Sequence, residues 1–190
     1  MKKEERPMKI VLDVDGTMAV IDRLILQACG VKPFDLRYYD EITDLLGYER
    51  FIETYTQIWT SKHRDIPITD PSIPHVVYSL KNKGHEICIA TNRYHLQETI
   101  PPLLDWLAMH NIYFDELRIT KQQHEKASIG DLLIDDNPHL VSHGNVILFE
   151  RSYNVSAECR KIKSFHELLS IDVSKETDEK GCDYFASLDF

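Results

Sequence analysis

Two short apolar runs that end in paired acids constrain this chain more than any other feature. Met8-Lys9-Ile10-Val11-Leu12 runs into Asp13-Val14-Asp15-Gly16-Thr17, and Leu132-Leu133-Ile134 runs into Asp135-Asp136-Asn137. Apolar runs this short read as buried strands. Others are Glu86 to Ala90, Val146 to Phe149 and the weaker Leu117-Arg118-Ile119. Between them lie a helical pattern over Pro74 to Lys83 before Gly84, a second over Leu103 to His110 opened by Pro101-Pro102, and a short Pro138 to Ser142 segment. Strands alternating with helices pair in parallel through right-handed crossovers, so the expected fold is α/β, a doubly wound three-layer sheet.

One stretch breaks the alternation. After the first strand there are two helical stripes and no convincing strand: Val20, Ile21, Leu24, Ile25 and Ala28, then Phe51, Ile52, Tyr55, Ile58 and Trp59. Residues 1–18 and 70–171 are therefore expected to form the core, and 19–69 a small helical cap inserted after the first strand. Seven aromatics fall in the insertion, Phe34, Tyr38, Tyr39, Tyr48, Phe51, Tyr55 and Trp59, and are expected to build a small core of its own. Residues 172–190 carry six acids against two lysines and read as a solvated acidic tail.

Charge decides which partners are plausible. Lys and Arg number 22 against 31 Asp and Glu, a net charge of −9, and no basic run provides the footprint of a phosphate-backbone binder. No stable nucleic-acid partner is expected; a small-molecule phosphomonoester is compatible, and homo-oligomerisation is left open. Met1 to Pro7 is charged, and no run of about 18 apolar residues occurs, so a cytoplasmic protein without membrane association is expected. Cys29, Cys88, Cys159 and Cys182 lack the paired spacing of a zinc knuckle and read as reduced thiols. Neither G-x-G-x-x-G nor G-x-x-x-x-G-K occurs.

The acids carry the chemistry. Ligands of a parallel sheet bind beyond the carboxyl ends of its strands, which places Asp13, Asp15, Asp135 and Asp136 at one rim. Four converging carboxylates repel unless a cation compensates, and an all-oxygen site suits Mg²⁺. A third strand ends in Thr91-Asn92-Arg93, whose hydroxyl, amide and nearby backbone N–H groups can hold phosphate oxygens. Arg93 fits equally a bidentate phosphate contact and an unpaired surface position. His139 and His143, four apart, read as surface residues without a third ligand, and His95 lies close behind Thr91-Asn92-Arg93.

These three strand ends resemble the haloacid dehalogenase superfamily of phosphohydrolases over most of Met8 to Ile171. Asp13-Val14-Asp15-Gly16-Thr17 is similar to its first motif, Thr91 to its second and Asp135-Asp136 to its fourth. Asp-Leu-Leu-Ile-Asp-Asp-Asn-Pro and the helical insertion are most similar to the 5′(3′)-deoxyribonucleotidases and their bacterial homologues. The resemblance implies that Asp13 is a nucleophile forming an aspartyl-phosphate and that Asp15 protonates the leaving oxygen and then activates water. It implies Mg²⁺ held by Asp13, the Asp15 carbonyl and Asp136, with Asp135 in support, and phosphate held by Thr91 and Asn92. It also requires a lysine: Lys126, nine residues before Asp135, is favoured over Lys121. The expected activity is Mg²⁺-dependent hydrolysis of a (deoxy)nucleoside 5′-monophosphate, with Phe34, Tyr38 and Trp59 stacking on the base. A sugar phosphate, a nucleic-acid 3′-phosphate and a receiver-like phosphoacceptor domain are the alternatives. Asp15 argues against the last, because a domain that keeps its phosphoryl group has no use for an acid there.

Overall fold

A computed structural model describes residues 6–171. Among them, β1 (Lys9–Leu12), β2 (Glu86–Thr91), β3 (Glu116–Ile119), β4 (Leu132–Asp135), β5 (Val146–Phe149) and β6 (Lys161–Ile162) form one sheet. The order is β3-β2-β1-β4-β5-β6, and every pair is parallel. The α/β doubly wound expectation holds. Five of these strands follow the apolar runs; β6, two residues long, is too short to show a period.

The helices are α1 (Asp22–Ala28), α2 (Glu41–Leu46), α3 (Tyr48–Lys62), α4 (Ile73–Asn82) and α5 (Ile100–Met109). Prolines in the first turns of α4 and α5 give up an amide that has no intrahelical acceptor there. The two stripes after β1 become α1 and α3, whereas the six residues of α2 are too few for a stripe to stand out.

Alternate residues of the strands face two layers. Ile10, Leu12, Ile87, Ile89, Leu132 and Ile134 pack on Val76, Val77 and Leu80 of α4 and Leu103, Trp106 and Leu107 of α5. Val11, Cys88, Ala90, Leu133 and Leu148 face the other way, onto Leu140, Val141 and Ala157. That second layer includes the 3₁₀ turn Pro138–His143 in place of a full helix.

The expected separate core of the insertion is not formed. Ile25, Leu26, Leu36, Ile42, Tyr55, Ile58 and Trp59 belong to the same apolar cluster as the sheet. Of its seven aromatics only Tyr55 and Trp59 are buried, while Phe34, Tyr38 and Tyr48 are exposed. The physical reason is the seating of α3: Trp59 meets Trp106 of α5 edge to face, ring centroids 6.0 Å apart.

Asp70 fastens the start of α4 to the end of the described chain. Its carboxylate accepts from the Ser72 amide at 2.8 Å, the Ser164 hydroxyl at 2.8 Å and the Phe165 amide at 2.7 Å. Burial alone would raise its pKa, but these hydrogen bonds, led by the Ser72 amide, hold it below the usual carboxylate value. A depressed acid contributes stability above its unfolded pKa and loses it as pH falls through the folded one. Asp70→Asn should therefore cost about 1–3 kcal/mol near neutrality. Its deficit against wild type should close in acid, which denaturant melts at about pH 7 and about pH 3 will measure.

Cys88 is buried, and burial pushes its thiol up to about 11; no disulfide joins Cys29, Cys88 and Cys159. Among the described residues no helix is long and apolar enough to cross a membrane. The acidic stretch 172–190 and Cys182 lie outside the described residues.

Candidate active site

The chain leaves β1 outward through β2 to β3 and returns on the other side at β4, so a crevice opens at the carboxyl ends of β1 and β4. Their register sets Leu12 beside Ile134 and hence Asp13 beside Asp135. The Asp13 amide continues the ladder by donating to the Ile134 carbonyl at 3.0 Å. Asp13, Asp135 and Asp136 are all buried, with carboxylate oxygens within 4.8 Å of one another.

Lys126, also buried, comes from the 3₁₀ turn Gln123–Ser128 between β3 and β4. Its Nζ donates to Asp13 Oδ1 at 2.8 Å and lies 2.6 Å from Asp135 Oδ2. Burial would lower its pKa, but the charges of Asp13 and Asp135 outweigh that and raise it, so the ammonium stays charged. One ammonium does not offset three carboxylates. Burial, then Asp135, holds the Asp13 pKa well above the ordinary value, and burial and Asp135 lift Asp136 to about 7. Lys121 is exposed, its Nζ 4.6 Å from the centre of the Tyr94 ring.

Asp136 is fixed from several directions. Thr17 Oγ1 donates to its Oδ1 at 2.7 Å, Tyr153 donates to its Oδ2, and Asn154 Nδ2 donates to its backbone oxygen at 2.8 Å. Gly16, at φ 84°, lies against the same carboxylate, and a Cβ there would collide with it. Glycine is needed for both the positive φ and the close approach. Tyr39, from the loop before α2, packs edge-on against the Tyr153 ring with centroids 5.8 Å apart.

Asp15 faces another way. Arg93 NH2 donates to its two oxygens at 3.0 and 2.9 Å, Trp59 Nε1 to Oδ1 at 3.1 Å, and the Tyr55 hydroxyl to Oδ2 at 2.7 Å. Arg93, equally compatible with a surface position in the sequence, is 1% exposed. It also donates from Nε to Thr91 Oγ1 at 3.2 Å, and its guanidinium carbon lies 3.9 Å from the centre of the Trp59 ring.

The structure thus brings Asp13, Asp135, Asp136 and Lys126 together, with Asp15 two residues on. Thr91 ends β2, next to β1, and is buried. The Asn92 amide is turned onto the carbonyls of Thr120 and Lys121, to which its NH₂ donates at 2.9 and 3.2 Å. Base stacking on Trp59 is corrected: the residue is fully buried, with Arg93 on its face and Trp106 at its edge. His95, His139 and His143 are exposed. Tyr55, Thr17, Tyr153 and Asn154 were not singled out as site residues by the sequence, and Trp59 was singled out for a different contact. Tyr55 and Trp59 stood in the α3 stripe, where polar-tipped aromatics at i, i+4 were the available signal; Tyr153 and Asn154 carried none.

The six-stranded parallel sheet flanked by helices is the fold of hydrolases of the haloacid dehalogenase superfamily. The fold is similar to a hydrolase of that superfamily from Ehrlichia chaffeensis (TM-score 0.53, 15% identity, 93% of this chain and 100% of that one). It is also similar to a predicted phosphatase from Clostridium acetobutylicum (0.57, 14%, 86% and 98%) and a predicted phosphoglycolate phosphatase from Haemophilus somnus (0.53, 14%, 90% and 99%). No curated protein matches the sequence. Residues 6–176 match the family model described as 5′ nucleotidase, deoxy (pyrimidine), cytosolic type C protein, and the chain belongs to that family.

Proposed function

We propose that this chain hydrolyses (deoxy)nucleoside 5′-monophosphates through an aspartyl-phosphate on Asp13, with Mg²⁺ as cofactor. The observation that carries this reading is Asp13 itself: a carboxylate at a strand end, held by Lys126 at 2.8 Å, with a second acid two residues on. A carboxylate nucleophile divides a difficult displacement into two easier ones. Lys126 directs one Asp13 oxygen and leaves the other for phosphorus, and its charge draws in the phosphate. Asp15 gives a proton to the leaving oxygen and later takes one from water.

The residues fit a hard divalent cation, since the trio's negative charge exceeds what Lys126 offsets and every donor is oxygen. Asp13, Asp136 and the Asp15 carbonyl would hold it, with Asp135 supporting through Lys126. The chemistry such an ion supplies is positive charge between an anionic nucleophile and an anionic phosphate. The Thr91 hydroxyl at the end of β2 and the backbone N–H of Asn92 would meet the phosphate oxygens, since the Asn92 side-chain NH₂ is spent on the Thr120 and Lys121 carbonyls. Residues 19–69 act as the cap that excludes water, and exposed Phe34 and Tyr38 are its candidates for meeting the base.

Phosphate release from a panel of phosphomonoesters tests this. Deoxynucleoside 5′-monophosphates should be turned over with Mg²⁺, and EDTA should abolish the activity. Turnover of sugar phosphates and of no nucleotide would overturn the substrate assignment and leave the phosphatase standing.

A further inference from the structure

Both oxygens of the Asp15 side chain are held by groups distant in the chain. Oδ1 is met by Trp59 Nε1 at 3.1 Å and Arg93 NH2 at 3.0 Å, and both partners can only donate. Oδ2 is met by Arg93 NH2 at 2.9 Å and the Tyr55 hydroxyl at 2.7 Å. Four hydrogen bonds from three side chains therefore fix both the place and the rotation of the Asp15 carboxyl group.

We propose that Tyr55, Trp59 and Arg93 are positioning residues for Asp15, with Trp59 holding Oδ1, Tyr55 holding Oδ2 and Arg93 bridging both. The proposal deepens the phosphatase reading and rests on it. In the first step the Asp13 oxygen–phosphorus bond forms and the phosphorus–leaving-oxygen bond breaks. The proton carried by Asp15 passes to the leaving oxygen, giving the free alcohol and a carboxylate held by its three partners. The Asp15 side chain is 24% exposed, which keeps it within reach of a substrate. Tyr55 and Trp59 lie one turn apart on the buried face of α3, so both oxygens are set only while α3 is seated.

A structural role and a positioning role differ in their dependence on the leaving group. An alkoxide leaving from a nucleotide needs the proton, whereas p-nitrophenolate leaves readily without it. The test compares kcat/KM, which reports phosphoryl transfer to Asp13, for a deoxynucleoside 5′-monophosphate and for p-nitrophenyl phosphate. Tyr55→Phe keeps the ring and removes only the hydroxyl. It should lower kcat/KM for the nucleotide about tenfold relative to p-nitrophenyl phosphate. Trp59→Phe provides the same ratio independently should Tyr55→Phe fold poorly, with Asp15→Asn setting the full effect. Equal losses on both substrates, no loss, or a gain on the nucleotide would overturn the assignment. A wild-type chain that turns over neither substrate would instead remove the phosphatase reading beneath it, an outcome distinct from an active enzyme with an unchanged ratio.

Discussion

Asp13→Asn is expected to reduce phosphomonoester turnover by roughly 1,000-fold or more, the scale on which losing a covalent nucleophile is felt. An amide oxygen is too poor a nucleophile to attack phosphorus, while size and position are nearly unchanged. Destabilisation should not confuse the result. Asp13 is one of three buried carboxylates facing a single ammonium, and its pKa is raised first by burial and then by Asp135. Removing its charge relieves that repulsion, and Asp135 remains beside Lys126 at 2.6 Å. The metal-free variant should melt no lower than metal-free wild type while its activity is lost. Thermal melts with EDTA beside steady-state assays with Mg²⁺ separate the two effects.

Lys126→Met is expected to act on both activity and stability. Its ammonium lies between Asp13 and Asp135 in a site closed to solvent, where removing one partner of a buried ion pair typically costs about 3–5 kcal/mol. Turnover should fall by about 100-fold or more, because the phosphate loses a cation and Asp13 loses the contact that orients it. Lys121→Met should stay within a few-fold of wild type, since Lys121 sits outside the acidic trio over the Tyr94 ring. Denaturant titration and kinetics on the two variants measure this contrast. Equal effects would mean that the Asp13–Lys126–Asp135 geometry is not what receives the phosphate.

How much of this could be read from the chain depends on the range of the interaction. Strand ends are local signals: apolar residues followed at once by acids mark both the end of a buried strand and the crevice beyond it. Asp13, Asp135 and Asp136 were therefore legible, and parallel pairing made their convergence a consequence of topology. The partners that tune these acids come from a distance. Arg93, Tyr55 and Trp59 reach Asp15 across 78, 40 and 44 residues, and Tyr153 reaches Asp136 from a 3₁₀ turn beyond β5. Nothing in the sequence around Arg93 decides between a phosphate and Asp15 as its partner. Trp59 was misread for a related reason. A tryptophan on an amphipathic stripe satisfies burial against α5 as well as stacking on a base, and only the seating of α3 distinguishes them. The two-residue strand β6 and the six-residue helix α2 escaped because neither spans enough chain to show a period.

In the proposed reaction phosphorus becomes bonded to Asp13. The most direct test is rapid mixing of the enzyme with a deoxynucleoside 5′-monophosphate and Mg²⁺, an acid quench within the first turnover, and mass analysis of proteolytic fragments. One phosphoryl group is expected on the fragment containing Asp13, absent from Asp13→Asn and lost on alkaline treatment as an acyl phosphate should be. Full turnover with that fragment unmodified at every quench time, or a phosphoryl group on another residue, would contradict it.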